Sequence, residues 1–180
     1  MIDTIMLIKK YYDENSELYR ILLVHSMSVT KKAVEIAEKN PHENFDIEFV
    51  KEAAMLHDIG IFKTNAPKIL CFGDKPYICH GYLGSEILQK EGFAKHALVC
   101  ERHTGTGISL EKIIKENLPL PHRNLSPVSK EEELICFADK FFSKTKLDRE
   151  LAIDEIKNSF SKFGLESVSR FDNWCKKWLK

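Results

Sequence analysis

Between Ser16 and Asn40, residues Leu18, Leu22, Val29, Ala33 and Ile36 share one helical stripe, and His25 lies on that stripe. Ser16 is suited to cap the start of this helix, and Asn40-Pro41 ends it. The same period returns along most of the chain. A second helix starts near Asp46, turns Ile47, Val50 and Ala54 inward, and brings His57 onto the same face, with Gly60 read as the residue that lets it terminate. Later helices are expected over 80–92, 93–102, 109–117, 130–145, 149–163 and 166–179. No strand-like alternation of useful length appears, and there is no internal repeat. The expected architecture is all-α, a single bundle of roughly eight or nine helices.

Two segments lack a period. Residues 62–79 contain Pro67, Gly73 and Pro76 and read as a long connection, either a lid or a loosely packed link. Residues 118–129 are rich in proline and serine. A length of 180 residues fits one domain over 1–180, with its core at about 20–145 and a helical extension at about 149–180. Lys+Arg and Asp+Glu are both 27, so the net charge of zero argues against an extended nucleic-acid or membrane surface. The first ten residues are too short and too early charged for a signal peptide, and no segment approaches the roughly 18 apolar residues of a membrane span. The cytoplasm is the expected compartment. Five scattered cysteines without a CxxC pair read as small hydrophobes in a reducing environment. Trp174 and Trp178, near the end of the chain, either pack on the core or form a homodimer contact.

Polar residues interrupt the apolar faces in a consistent way. His25 and His57 sit on helical stripes, where an unpaired imidazole would lose its hydrogen bonds to water. Asp139 interrupts an apolar face between Ile135 and Phe142, and a buried lone carboxylate is strongly disfavoured. His80 and His103 border the irregular segments. His42, His96 and His122 read as ordinary surface or core histidines. Asp58, beside His57 in Ala-Ala-Met-Leu-His-Asp-Ile-Gly, completes a set of six whose shared partner is expected to be metal. Imidazole and carboxylate without thiolate suit Fe, Mn, Co, Ni or Zn. Four histidines and two aspartates exceed what one ion with open water positions requires, which points to two ions with Asp58 as the bridge.

The ordered set His25, His57-Asp58 and Asp139 resembles the HD superfamily of metal-dependent phosphohydrolases, and His57-Asp58-Ile59-Gly60 spells its HDIG variant. The strings His80-Gly81, Arg102-His103-Thr104-Gly105 and Ala138-Asp139-Lys140 are similar to small stand-alone HDIG proteins, including the bacterial family that splits diadenosine tetraphosphate symmetrically. The similarity covers about residues 20 to 145. It implies that His25, His57, Asp58 and Asp139 hold a first divalent transition metal and that His80 and His103 hold a second. The chain departs from the tetraphosphatase pattern where Ile61-Phe62 precede Lys63, and the segment Leu118 to Ser129 is longer; a GYP signature of cyclic-di-GMP phosphodiesterases is absent.

The activity so implied is hydrolysis of a phosphate ester or anhydride, with a nucleotide or dinucleotide as the small-molecule partner. Two cations would lower the pKa of a bridging water from about 15.7 toward about 7, supplying the attacking hydroxide. Asp58 would orient it, and Lys63 and Arg102 are the first choices to bind phosphate, followed by Lys140 and Lys144. Thr104 to Gly107 either donate amides to phosphate or simply end a helix. The alternatives are a di-iron oxygenase of the same fold and a metal-binding regulatory module.

Overall fold

The 23-residue helix α2, Glu17–Lys39, is the spine of the structure, about 35 Å long. The computed structural model describes residues 2–147, 149–160 and 165–179. Ser16 caps α2 as expected, its side chain accepting from the Tyr19 amide. A short helix, α1 (Thr4–Lys9), precedes it and has no counterpart in the sequence reading. After α2 come α3 (Ile47–Leu56), α4 (His80–Lys90), α5 (Ala94–Arg102), α6 (Leu110–Lys115), α7 (Lys130–Asp139), α8 (Ile153–Phe160) and α9 (Leu165–Trp178). The all-α expectation is met. No helix among the described residues is long and apolar enough to cross a membrane.

The connection over 62–79 is not featureless. It folds into a three-stranded sheet ordered β2-β1-β3, with β1 (Thr64–Ala66) antiparallel to β2 (Cys71–Phe72) and parallel to β3 (Lys75–Pro76). Strands of two or three residues are too short to display an alternating pattern, and Pro76 sits at the sheet edge, where a missing amide is tolerated. Gly73 is required there because a Cβ would overlap the Lys63 carbonyl. Helix α7 ends at Asp139 rather than at 145, and the chain then turns through Ser143 and Lys146. The helix expected over 149–163 is seen as α8, while residues 161–164 lie outside the described residues.

Two apolar clusters carry the packing. One joins the second half of α2 to α3, α7 and α9 through Val29, Ala33, Val50, Phe137, Phe171 and Trp178. The other joins the first half of α2 to α1, α4 and α5 through Leu22, Leu56, Ile59, Leu88 and Cys100. Trp174 and Trp178 are 3% and 2% exposed and lie against Phe137, at 6.0 and 5.5 Å between ring centroids, so the core claims them. Each such buried side chain contributes about 1.5–3 kcal/mol. His25 lies on α2 between Leu22 of one cluster and Val29 of the other. The polar centre is built at that seam.

Candidate metal centre

Three helices end at the centre. His57 and His103 occupy the first positions past the C-termini of α3 and α5, and Asp139 is the last residue of α7. The unsatisfied carbonyls of a helix C-terminus carry partial negative charge, so three such ends together favour cations. His80 opens α4, and His25 projects from the middle of α2. All six side chains are at least nine-tenths buried or close to it, and Asp58 and His57 are wholly buried.

Local hydrogen bonds fix the imidazoles. The Nδ1 atoms of His57, His80 and His103 lie 2.6, 2.7 and 2.7 Å from the carbonyls of Ala54, Tyr77 and Cys100, each three residues earlier. A carbonyl can only accept, so Nδ1 carries the proton and the Nε2 lone pair is turned inward, the tautomer a metal ligand needs. The Nε2 atoms of His80 and His103 face each other at 3.0 Å. Two lone pairs at that distance repel unless a cation or a proton lies between them.

Asp58 divides its two oxygens between two ligand groups. Its Oδ2 is 3.1 Å from Nε2 of His25 and 3.1 Å from Nε2 of His57, and its Oδ1 is 3.4 Å from Nε2 of both His80 and His103. Asp139 Oδ1 completes the first group, 2.9 Å from His25 Nε2 and 3.4 Å from His57 Nε2. His25, His57, Asp58 and Asp139 form one cluster with metal-ligand spacing, and Asp58, His80 and His103 form another. Asp58 Oδ1, His57 Nε2 and His25 Nδ1 are buried without a properly oriented hydrogen bond, while Asp58 Oδ2 is paired with Lys144. Orphaned buried groups of this kind are costly, and divalent ions would satisfy most of them at once. The residues therefore fit bound divalent metal.

Electrostatics agree with a strongly polar pocket. Burial lowers the proton affinity of His57, but the carboxylates of Asp58 and Asp139 more than offset this and raise its pKa to about 9, so without a metal Nε2 holds a second proton that a bound cation would displace. Burial and the neighbouring His103 push His80 down to about 3, and burial also lowers His103. Burial opposes ionisation of Asp58, yet Lys144 and then His57 hold its carboxyl well below the usual range. Lys140 does the same for Asp139.

The cations that reach the centre are Lys144, with Nζ 2.5 Å from Asp58 Oδ2, and Lys140, with Nζ 2.7 Å from Asp139 Oδ2. The structure does not bring the first two expected phosphate ligands to it. Arg102 turns away and binds both oxygens of Glu132 through Nη1, at 3.1 and 3.0 Å, tying α5 to the first turn of α7. Lys63 ends a 3-10 turn over Ile61–Lys63 and makes no hydrogen bond or ion pair with the cluster among the described residues. His42 and His122 are exposed, and His96 pairs with Glu52 across α3 and α5 at 3.1 Å. Support comes from residues the sequence does not flag. The Cys100 thiol donates to the His57 carbonyl at 2.9 Å, the Cys136 thiol to the His103 carbonyl at 3.2 Å, and the Tyr77 ring stacks on His80.

Gly60 has a different task from the one its position implies. Its φ of −87° is open to any residue, so chain termination does not require glycine there. A Cβ on Gly60 would overlap the amide of Gly84 and the carbonyl of His80, and one on Gly84 would overlap the Cys100 thiol. The two glycines let α4 close onto the turn that carries His57 and Asp58, which sets His80 opposite them.

Residues 22–143 match the model of the HD domain. The chain belongs to the HD-domain family. The matched span contains all six clustered residues. An uncharacterized protein of Methanocaldococcus jannaschii is 36% identical over 141 residues, covering 77% of this chain and 74% of the relative. The tRNA (cytidine(56)-2'-O)-methyltransferases of Thermoplasma volcanium and Picrophilus torridus are 33% and 30% identical over 82% and 83% of this HD chain. The chain spans only 38% of the length of each of these two proteins. Among solved structures, the HD domain of the L. monocytogenes phosphodiesterase PgpH superposes with a TM-score of 0.55 at 15% identity, over 96% of this chain and 95% of that one. That likeness is one of fold.

Proposed function

We propose that this HD domain hydrolyses a phosphate ester or anhydride, with a nucleotide or dinucleotide as substrate and two divalent transition-metal ions as cofactor. The observation that carries the reading is the division of Asp58, one oxygen toward His25 and His57 and the other toward His80 and His103. Two bound cations would supply Lewis acidity and lower the pKa of coordinated water. The chain's own residues contribute the rest. The histidines, with Nδ1 committed to carbonyls, hold their ring planes without searching rotamers, so little reorganisation is needed when substrate arrives. Lys144 and Lys140, held beside Asp58 and Asp139, sit where a phosphoryl group would bring negative charge. Lys144 lines open cavities, so its ammonium can pass from Asp58 to a phosphate oxygen. Overall one P–O bond breaks, the oxygen of water ends on phosphorus, and the leaving oxygen takes a proton.

The names of the methyltransferase relatives add an RNA phosphodiester to the substrates worth assaying. The test is a screen for phosphate and product release under argon, with Mn, Fe, Co, Ni or Zn supplied, over mononucleotides, dinucleoside polyphosphates and short RNA. Metal-dependent cleavage without oxygen is expected. Turnover that occurs only when oxygen is admitted would transfer the site to oxidative chemistry.

A further inference from the structure

Cavities of different chemistry flank the centre on two sides, one bordered by Lys144 and the other by His80. On one side two adjoining cavities of about 340 and 370 Å³ share Lys68, Lys144 and Thr145, and Arg20 and Lys146 line the second. Glu17 is the one acid on these walls among the described residues, and both of its oxygens already hold Arg20 at 2.9 Å. Lys68 and Lys146 are exposed and enter no ion pair among the described residues. Lys144 links this basic groove to Asp58. Three lysines along one groove favour a ligand with more than one anionic group.

On the other side lies a cavity of about 350 Å³ bounded by His80, Ile78, Ile108, Leu118, Phe160 and the loop 104–107. Apolar atoms make up most of its exposed wall, and Ser167 and the paired Lys112 and Glu116, 2.8 Å apart, also line it. Gly105 and Gly107 have φ of +62° and +98°, and Arg170 of α9 holds the loop by donating to the Thr106 carbonyl at 2.7 Å. The volume is near the lower end of small-molecule pockets, about 300–1,000 Å³, which gives room for one ring-bearing group. Tyr77 lines cavities on both sides. Its ring is fixed by stacking on His80 at 4.6 Å between centroids, with Lys144 Nζ 5.9 Å from the ring centre.

We infer that a single substrate spans both openings: a chain of at least two phosphates joined to one apolar ring-bearing group. The phosphate distal to the ring lies along Lys144, Lys68 and Lys146, the ring lies in the cavity beyond Tyr77, and the linking phosphate faces Asp58. Which bond is cleaved rests on the phosphohydrolase reading; the two-sided binding does not. A dinucleotide would place one nucleoside in the apolar cavity and leave the other outside it.

Calorimetry on the full chain at one fixed, saturating Mn²⁺ concentration tests this with three probes: inorganic phosphate, methylenediphosphonate and adenosine 5′-(α,β-methylene)diphosphate. Each addition, of the second phosphorus group and then of the adenosine, is expected to tighten binding at least about tenfold, or 1.4 kcal/mol. The Lys68→Ala/Lys146→Ala double variant, at exposed positions, should erase the first gain and keep the second. Ile78→Ala should reduce the second gain and keep the first. The inference is overturned if methylenediphosphonate binds no tighter than phosphate, if the double variant weakens all three probes equally, or if adenosine adds nothing. These are binding readouts, so a failure to hydrolyse any nucleotide would count against the activity and leave this result standing.

Discussion

Asp58→Ala is expected to lose phosphohydrolase activity by about 10³-fold or more while remaining a folded helical protein. The size of the effect follows from position. Asp58 is the one residue shared by both ligand groups, so its removal takes a ligand from each and breaks the link between them. The fold should survive because the side chain contributes no apolar packing and its partner Lys144 borders open cavities into which the ammonium can turn. His103→Ala is the instructive contrast. It removes a ligand from the second group only and leaves His25, His57, Asp58 and Asp139 intact, so one ion should be retained where Asp58→Ala retains neither. Elemental analysis beside circular dichroism reads both outcomes. Full activity in folded, metal-replete Asp58→Ala would remove Asp58 from the mechanism.

Gly60→Ala should carry the largest stability penalty of any single methyl addition near the centre. The new Cβ would meet backbone atoms of Gly84 and His80, which cannot swing aside as a side-chain terminus can. Overpacking typically costs about 1–3 kcal/mol and more where backbone must move. A loss of about 3 kcal/mol corresponds to a fall in Tm of roughly 6–12 °C for a domain of this size. The second ion should be lost as well, because α4 carries His80 and must retreat. Gly92→Ala is the control: its φ of +85° strains an alanine, but nothing lies within 4 Å of the added carbon. Its cost should stay near 1 kcal/mol. Equal urea midpoints for the two variants would show that the close approach at Gly60 does not matter.

Much of this was legible in the sequence because helices write their buried faces at a fixed period. His25, His57 and Asp139 stood out as polar intrusions on those faces, Asp58, His80 and His103 as ligand types beside them or at helix ends, and the fold brings all six together. What was not legible follows from geometry that has no period. The strands over 64–76 are shorter than the window in which alternation becomes visible. The choice between Arg102 and Lys144 as the cation at the centre depends on where Glu132 lies, and Glu132 belongs to a helix 30 residues further along the chain. Gly60 was readable as a glycine that matters, but its reason, a contact with Gly84, exists only after α4 has folded back. The carbonyls that fix the histidine tautomers come from Ala54, Tyr77 and Cys100, whose side-chain identities are irrelevant to that role.

A two-ion phosphohydrolase is best tested by phosphate release under argon as metal is titrated into the metal-free chain, with bound ions counted at each point. No activity is expected without metal, followed by a rise that reaches its plateau at about two ions per chain, as two ligand groups sharing Asp58 require. Release that is independent of metal, or a plateau reached with a single ion bound, would contradict it.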